Sequence, residues 1–446
     1  MNRLLNRADD RLRAALLAPQ PRAIGWLLNA VVLACFALLL LTRSLVQLRG
    51  AALPARLACV LMLCVPLALM LHFARRAGES RQTGVFGHAL LAAVCAAAML
   101  ARISFIEHVS GDYEIYLSDW MAKFGALSFS EGMRRSIGEY NVLYQYMLFV
   151  ITRLPVPALY AVKAVSFVGD ALLAGACARL AGERGRPSPA ALCAVLLLPV
   201  CVLNGGMFAQ CDSLYAACAL WGLALALEDR PAASAACFAL SLAFKLQAVF
   251  LLPIVAVLWS ARKLRLADAL TFLLTLLAAA LPALLGGKSI AQIVSIYVGQ
   301  TGLYNGLTYN APGFFGLMNT NGLDVYAYGN FGIALALGAV CALLSYAVPR
   351  AGSMDRTAFV RTSLLTVLLA VFLLPRMHER YFYLADVLAV ALACRDRRAV
   401  LPAALIALSS VSRLWDMGIA LPAASAMMLA AIALTLGQGK EACEKA

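Results

Sequence analysis

The sequence predicts an all-α polytopic membrane protein, and three observations carry that reading. Its 446 residues are 63% hydrophobic with a mean hydropathy of +0.82. Only 13% are charged, whereas a soluble chain carries roughly a quarter. Apolar stretches of about the length needed to cross a ~30 Å hydrocarbon core recur throughout, and no alternating strand-like segments compete with them. The net charge of +14 reads as basic loops on one side of a membrane and not as a nucleic-acid surface. Thirteen cysteines fall almost entirely inside apolar runs, with no paired framework and no CxxC spacing, so they read as small hydrophobes.

The chain opens with "MNRLLNRADDRLRAALLAPQPR", a basic cytoplasmic leader over 1–22 rather than a cleaved signal. Apolar runs follow at 23–43, 55–73, 86–106, 157–178, 188–203, 212–228, 232–244, 247–260, 267–285, 331–348, 359–375, 381–394, 399–414 and 419–437. Several are short, so a bundle of about 11–14 transmembrane helices within a single domain, 23–437, is expected, with a cytoplasmic tail at 438–446. The pair 232–244 and 247–260 also reads as one long helix broken near "FKLQ". With the N-terminus inside, the inner loops hold most of the Lys and Arg residues, and both termini are cytoplasmic. Two outer loops are long, 107–156 and 286–330, and both are rich in Tyr, Asn and Gly. Loops of that length are usually functional.

Four groups of polar residues fall on the outer side of this map. In "GDYEIYLSDW", read as a helix, Asp112, Tyr116 and Asp119 share a face, with Trp120 adjacent. A carboxylate beside aromatic rings suits a general base on a sugar-stacking platform, or a solvated acidic loop with interfacial aromatics. In "NGGMFAQCDSLYAA", Gln210 precedes Asp212 at the start of a span, where a helix cap with Ser213 competes with a functional role. In "AFKLQAVFLLP", Lys245 and Gln247 interrupt an apolar run; an intramembrane lysine normally faces a polar cavity or a partner, snorkelling being the alternative. Lys163 and Asp170, seven residues apart on one helix, read as structural partners of other helices.

The fourth group is "LLPRMHERYFYLADVLAV", where Arg376, His378, Glu379 and Arg380 crowd a short connector ahead of Tyr381. Arginines placed against the positive-inside tendency suggest a cationic wall, because guanidinium grips phosphate oxygens in a two-pronged fork. There is no P-loop, HExxH, GxSxG or Cys/His cluster, and the four histidines are scattered. ATP-driven and zinc chemistry are therefore not indicated.

Taken in order, "GDY" with its following Trp, "YNVLYQYMLFVI", "VKAVSFVGDALLA", "GMFAQCDSLYAA", "LSLAFKLQAVFLLP" and "MHERYFYLADVLA" resemble one family. It is that of the bacterial mannosyltransferases related to the GPI mannosyltransferase that adds the second mannose, within the GT-C superfamily. The resemblance runs over about 105–395. It implies an inverting membrane glycosyltransferase whose donor is a polyprenyl-phosphate-linked sugar, with a glycan, lipid or protein as acceptor and the active site on the periplasmic side of a bacterial inner membrane. It implies Asp112 as the base and Arg380 and Lys245 at the lipid phosphate. Asp212, Gln210, Gln247, Asp119, Trp120, His378, Glu379 and Tyr381 would line the substrate site. Two departures stand out: Asp119 precedes the Trp, and Ala209 replaces the usual Gly before the Gln–Asp pair. No cofactor is required by the residues, and the loop carboxylates leave a divalent cation open. The rival class is a transporter or flippase of lipid-linked saccharides, against which stand the missing repeat and the gathering of charges at one surface. A noncatalytic assembly partner is the third option.

Overall fold

The computed structural model describes residues 22–42, 46, 52–300 and 302–444. Residues 1–21 of the expected leader and the last two residues of the tail lie outside them. The described residues form nineteen α-helices, short 3₁₀ and π segments, and two strands of two residues each. The chain is an all-α polytopic membrane protein. Among the described residues, eight helices are long and apolar enough to cross a bilayer, and a ninth crossing forms if Pro189–Leu197 and Pro199–Met207, bent by 54°, are taken as one.

The remaining expected spans are shorter helices, among them Asp212–Ala226, Pro231–Phe244, Tyr383–Ala393 and Val400–Leu414. Asp212–Ala226 is buried almost all round, packed between Ala158–Ala181 and Pro231–Phe244. A helix apolar on every side is stabilised by neighbours and needs no lipid-matched length. Ala158–Ala181 is the central element, buried over 83% of its apolar window, whereas Asp268–Leu285 is buried over only 11% and turns outward. Small residues let the central helices approach closely. A Cβ on Gly169 would come within 2.3 Å of the Ser213 hydroxyl.

The break at "FKLQ" resolves into a hairpin. Pro231–Phe244 ends at Lys245, which takes an extended conformation (φ −155°, ψ 140°), and the chain returns through a 3₁₀ turn at Leu246–Phe250 and the helix Ile254–Ser260. The arms close at the far end, where Lys263 pairs with Asp229 at 2.8 Å. Lys245 is therefore the apex.

Loops gather in two sets at opposite ends. At one end Arg184 pairs with Asp229, Arg179 with Glu228, Arg395 with Glu183 and Arg361 with Asp396. These are loops that the charge distribution assigns to one side. At the other end lie Asp112, Gln210, Lys245 and Arg380. Between the ends, Asp170 accepts from Arg102 at 2.7 Å and from the Tyr383 hydroxyl at 3.2 Å. Lys163 donates to the carbonyls of Phe105 and His108, each at 2.6 Å, and of Ile106 at 3.3 Å. Both residues thus serve other elements structurally, as expected for polar groups at membrane depth. The described cysteines are all free thiols.

Candidate active site

Asp112 follows the helix Val85–Ile103 through a turn held by Ser110, whose hydroxyl donates to the Phe208 carbonyl at 3.1 Å and accepts from the Tyr113 amide at 3.2 Å. The residues after it form a π-helical turn, Tyr113–Leu117, in which the Ser118 amide reaches back to the Tyr113 carbonyl. A π turn adds one residue per turn relative to an α-helix. That corrects the expected shared face of Asp112, Tyr116 and Asp119. The wider turn keeps Asp112, Tyr116 and Trp120 on the cleft and rotates Asp119 off it. Asp119 is half exposed and pairs with Lys123 at 2.6 Å.

Gln210 reaches Asp112 from a second element. The π turn Leu203–Met207 ends in a loop where Ala209 adopts φ +55°, a left-handed conformation in which glycine is the usual occupant. The turn survives with alanine because the Gln210 amide bonds the Asn204 carbonyl at 3.0 Å and its carbonyl accepts from Ser166 at 2.6 Å. Gln210 Nε2 then donates to Asp112 Oδ2 at 2.6 Å, while its Oε1 accepts from the Tyr140 hydroxyl at 2.8 Å. Arg380 Nη1 completes the cluster, donating to the same Asp112 oxygen at 2.9 Å. One carboxylate oxygen, Oδ2, takes both bonds.

Asp212 stands one layer behind. It does not cap its helix through its side chain; Ser213 instead donates to the Ser166 carbonyl at 2.9 Å. The Asp212 carboxylate accepts from Asn204 at 2.9 Å and pairs with Lys245 at 2.5 Å. Lys245 is 5% exposed and Asp212 1%, so the pair is desolvated, which favours partnership over snorkelling. Lys245 also sits 5.3 Å from the centroid of the Tyr140 ring, tying the hairpin apex to the Asp112 cluster.

The connector that crowded four ionisable residues is held by the second long loop. Strand β1 (Thr308–Tyr309) pairs in parallel with β2 (Met377–His378), and the Arg376 amide donates to the Leu307 carbonyl at 2.9 Å. Arg376 and Asn310 both take left-handed backbones, φ +63° and +59°, where the chain enters β2 and where it leaves β1. The ladder stacks His378 on Tyr309, ring centroids 4.9 Å apart, with Tyr304 edge-on at 4.4 Å and Tyr381 at 5.4 Å. Across the cleft Tyr116, Trp120, Tyr140 and Tyr144 form a second aromatic run. Burial pushes the Tyr304 phenol up to about 12, so it stays a neutral donor. Burial opposes the charge on Glu379, yet the adjacent His378 ring, 3.8 Å away, and the Arg380 guanidinium hold its carboxyl below the usual range.

These elements enclose a cleft of about 1030 Å³. Asp112, Trp120, Gln210, Lys245, Gln247, His378, Glu379, Arg380 and Tyr381 line it, Asp212 backs it, and Asp119 is outside. Sequence reasoning passed over Tyr140, Tyr304, Tyr309 and Glu139, which also line it. The signal for the three tyrosines was the aromatic density of the outer loops, and Glu139 gave none. Arg380 Nε, His378 Nε2 and Gln247 Oε1 are buried without hydrogen-bond partners among the described residues. Buried polar atoms are normally satisfied, so three at one cleft point to a ligand that supplies the missing partners. The lining also includes apolar side chains, among them Val249, Phe250, Val325 and Ile333. Among the described residues, no three His, Cys, Asp or Glu side chains gather as a metal site.

Fold and site together describe an integral membrane protein with a carboxylate-and-cation cleft at one end of its bundle. Residues 140–261 match a family described as alpha-(1->6)-mannopyranosyltransferase, N-terminal domain. The match includes Tyr140, Gln210, Asp212, Lys245 and Gln247, while Asp112 and Arg380 lie beyond its ends. It supports a glycosyltransferase related to mannosyltransferases. Comparison with curated proteins gave no match.

Proposed function

We propose that this chain is an inverting glycosyltransferase of GT-C-like architecture that moves a hexose, mannose in the leading reading, from a polyprenyl-phosphate donor to a glycan, lipid or protein acceptor. One transmembrane domain over 23–437 carries the reaction. The cleft faces the periplasm from a bacterial inner membrane, with both termini on the cytoplasmic side. The observation that carries the reading is the Asp112 carboxylate held by Gln210 and Arg380 inside a cleft whose lining combines cations, aromatic rings and apolar side chains. A lipid-linked sugar has the same three parts: phosphate, pyranose ring and hydrocarbon.

The chemistry follows from that placement. The acceptor hydroxyl attacks the anomeric carbon from the face opposite the phosphate and passes its proton to Asp112. The bond between the anomeric carbon and the phosphate oxygen breaks, and its electron pair leaves with the phosphate. The transition state is oxocarbenium-like, and charge grows on the leaving oxygen. Arg380 and Lys245, both at the cleft, stabilise that charge, and His378 Nε2 and Arg380 Nε have hydrogen-bonding capacity unfilled by protein. Gln210 orients Asp112 from behind, and the facing aromatic runs stack the sugar rings. Asp119, paired with Lys123 away from the cleft, has no role in this scheme.

The test incubates the purified full chain with radiolabelled polyprenyl-phosphate sugars and follows release of polyprenyl phosphate. Wild type releases it from one donor, and Asp112→Asn and Arg380→Ala abolish release. If Asp112→Asn works as well as wild type, the base assignment fails. If no donor is consumed while labelled lipid crosses the membrane of proteoliposomes, the transporter reading replaces this one.

A further inference from the structure

At the end of the bundle opposite the cleft, a second cavity of about 510 Å³ opens between the helices Leu53–Ser80, Val85–Ile103 and Ala158–Ala181. One wall is aromatic. Phe73 and Trp221 lie 6.2 Å apart, and the Trp221 indole is fixed by donating to the Leu172 carbonyl at 3.1 Å. The other wall is polar, with His88, which is buried, and Thr83, whose Oγ1 is buried without a hydrogen-bond partner among the described residues. Gly78 makes this wall: a Cβ there would come within 2.7 Å of the His88 ring and 2.8 Å of Thr83 Oγ1.

Charge sorts what the cavity can hold. Glu79 lines it but is paired with Arg75. Arg179 is held by both Glu228 oxygens, at 2.7 and 2.5 Å. Arg76, exposed at the mouth, is in no ion pair among the described residues, and it is the one charge left over. An uncompensated guanidinium, an unfilled hydroxyl and an imidazole beside two aromatic rings suit a phosphate group attached to hydrocarbon. A basic pocket between transmembrane helices, close to the loop end, is where anionic lipid head groups bind.

We propose that this cavity binds the phosphate head group of an anionic phospholipid, with Arg76 and Thr83 at the phosphate and Phe73 and Trp221 against the glycerol and upper acyl chains. The site is separate from the cleft and stands whether or not the glycosyltransferase reading is correct.

Native mass spectrometry of the detergent-purified full chain tests it, with titrations of phosphatidylglycerol, phosphatidylcholine and inorganic phosphate. Wild type retains one phosphatidylglycerol in preference to phosphatidylcholine. Arg76→Gln weakens that binding about fivefold, the factor carried by one arginine near an anionic lipid. Thr83→Val weakens it as well, and Arg350→Gln, an exposed arginine elsewhere, leaves it unchanged. Thermal unfolding checks that each variant is folded. Equal retention of the two lipids, or equal losses from Arg76→Gln and Arg350→Gln, would overturn the site. Displacement of the lipid by inorganic phosphate at equal concentration would overturn the assignment to a lipid.

Discussion

Replacing Lys245 by Met leaves Asp212 buried with Asn204 as its one remaining side-chain partner, and Asp212→Asn leaves Lys245 buried without a counter-charge. At the observed 2.5 Å separation the attraction is about 7 kcal/mol for an effective dielectric of ~20. Desolvating the two ions offsets much of it, at several kcal/mol each, so the intact pair contributes little net stability. Breaking it is different, because the survivor keeps its desolvation penalty, and the expected loss is about 3–5 kcal/mol for either single change. The double variant Asp212→Asn/Lys245→Met removes both charges and is expected within about 1 kcal/mol of wild type. Thermal unfolding of all four proteins in one detergent measures this, with the coupling read from the double-mutant cycle. If the singles unfold with wild type, or if their losses simply add in the double, the pair is not the desolvated unit described. Donor consumption separates role from stability: the double variant is expected to be folded and inactive, because Lys245 lines the cleft.

Other outcomes follow from single features. Asp112→Asn keeps the shape of the cluster and is expected to lower turnover ~10²–10⁴-fold with unchanged thermal stability. Gly138 has φ +77°, and a Cβ there would meet the Trp120 ring at 2.5 Å, so Gly138→Ala is expected to cost at least ~1–2 kcal/mol and to alter Trp fluorescence. Lys163→Met removes the donor to three carbonyls just before Asp112, and unfolding should show a loss of about 3 kcal/mol. Burial lowers the Lys288 amine from 10.5 to about 8, its acceptor being the Arg135 carbonyl at 3.3 Å. Its folded-state value lies below the unfolded one, so the unfolded chain binds more protons between them. Stability should therefore rise from about pH 8 toward pH 10.5, and Lys288→Met should flatten that slope.

Asp112, Gln210, Lys245, Gln247 and the 376–381 connector were legible as polar or aromatic breaks in an apolar chain, because charges at membrane depth are costly and conspicuous. Asp119 looked equally promising for the same reason and fell off the cleft. Its exclusion depends on one π turn, a backbone choice that composition does not signal. Tyr140, Tyr304 and Tyr309 are ordinary interfacial residues in one dimension. Tyr304 and Tyr309 line the cleft because the β1–β2 ladder joins segments about seventy residues apart, and Tyr140 because its hydroxyl donates to Gln210, 70 positions away.

The membrane class, the all-helical content and the segregation of charged loops were determined by the sequence alone, since hydrocarbon accepts only long apolar segments whose backbone bonds are satisfied internally. Tertiary structure decided which expected spans are full-length crossings and which are short helices inside the bundle. It also decided that Lys245 is the apex of a hairpin, and that Asp112, Gln210 and Arg380 share one carboxylate oxygen. Those contacts join residues 98 and 268 positions apart. Local propensity reaches only a few residues along the chain, so helix packing alone brings such groups together.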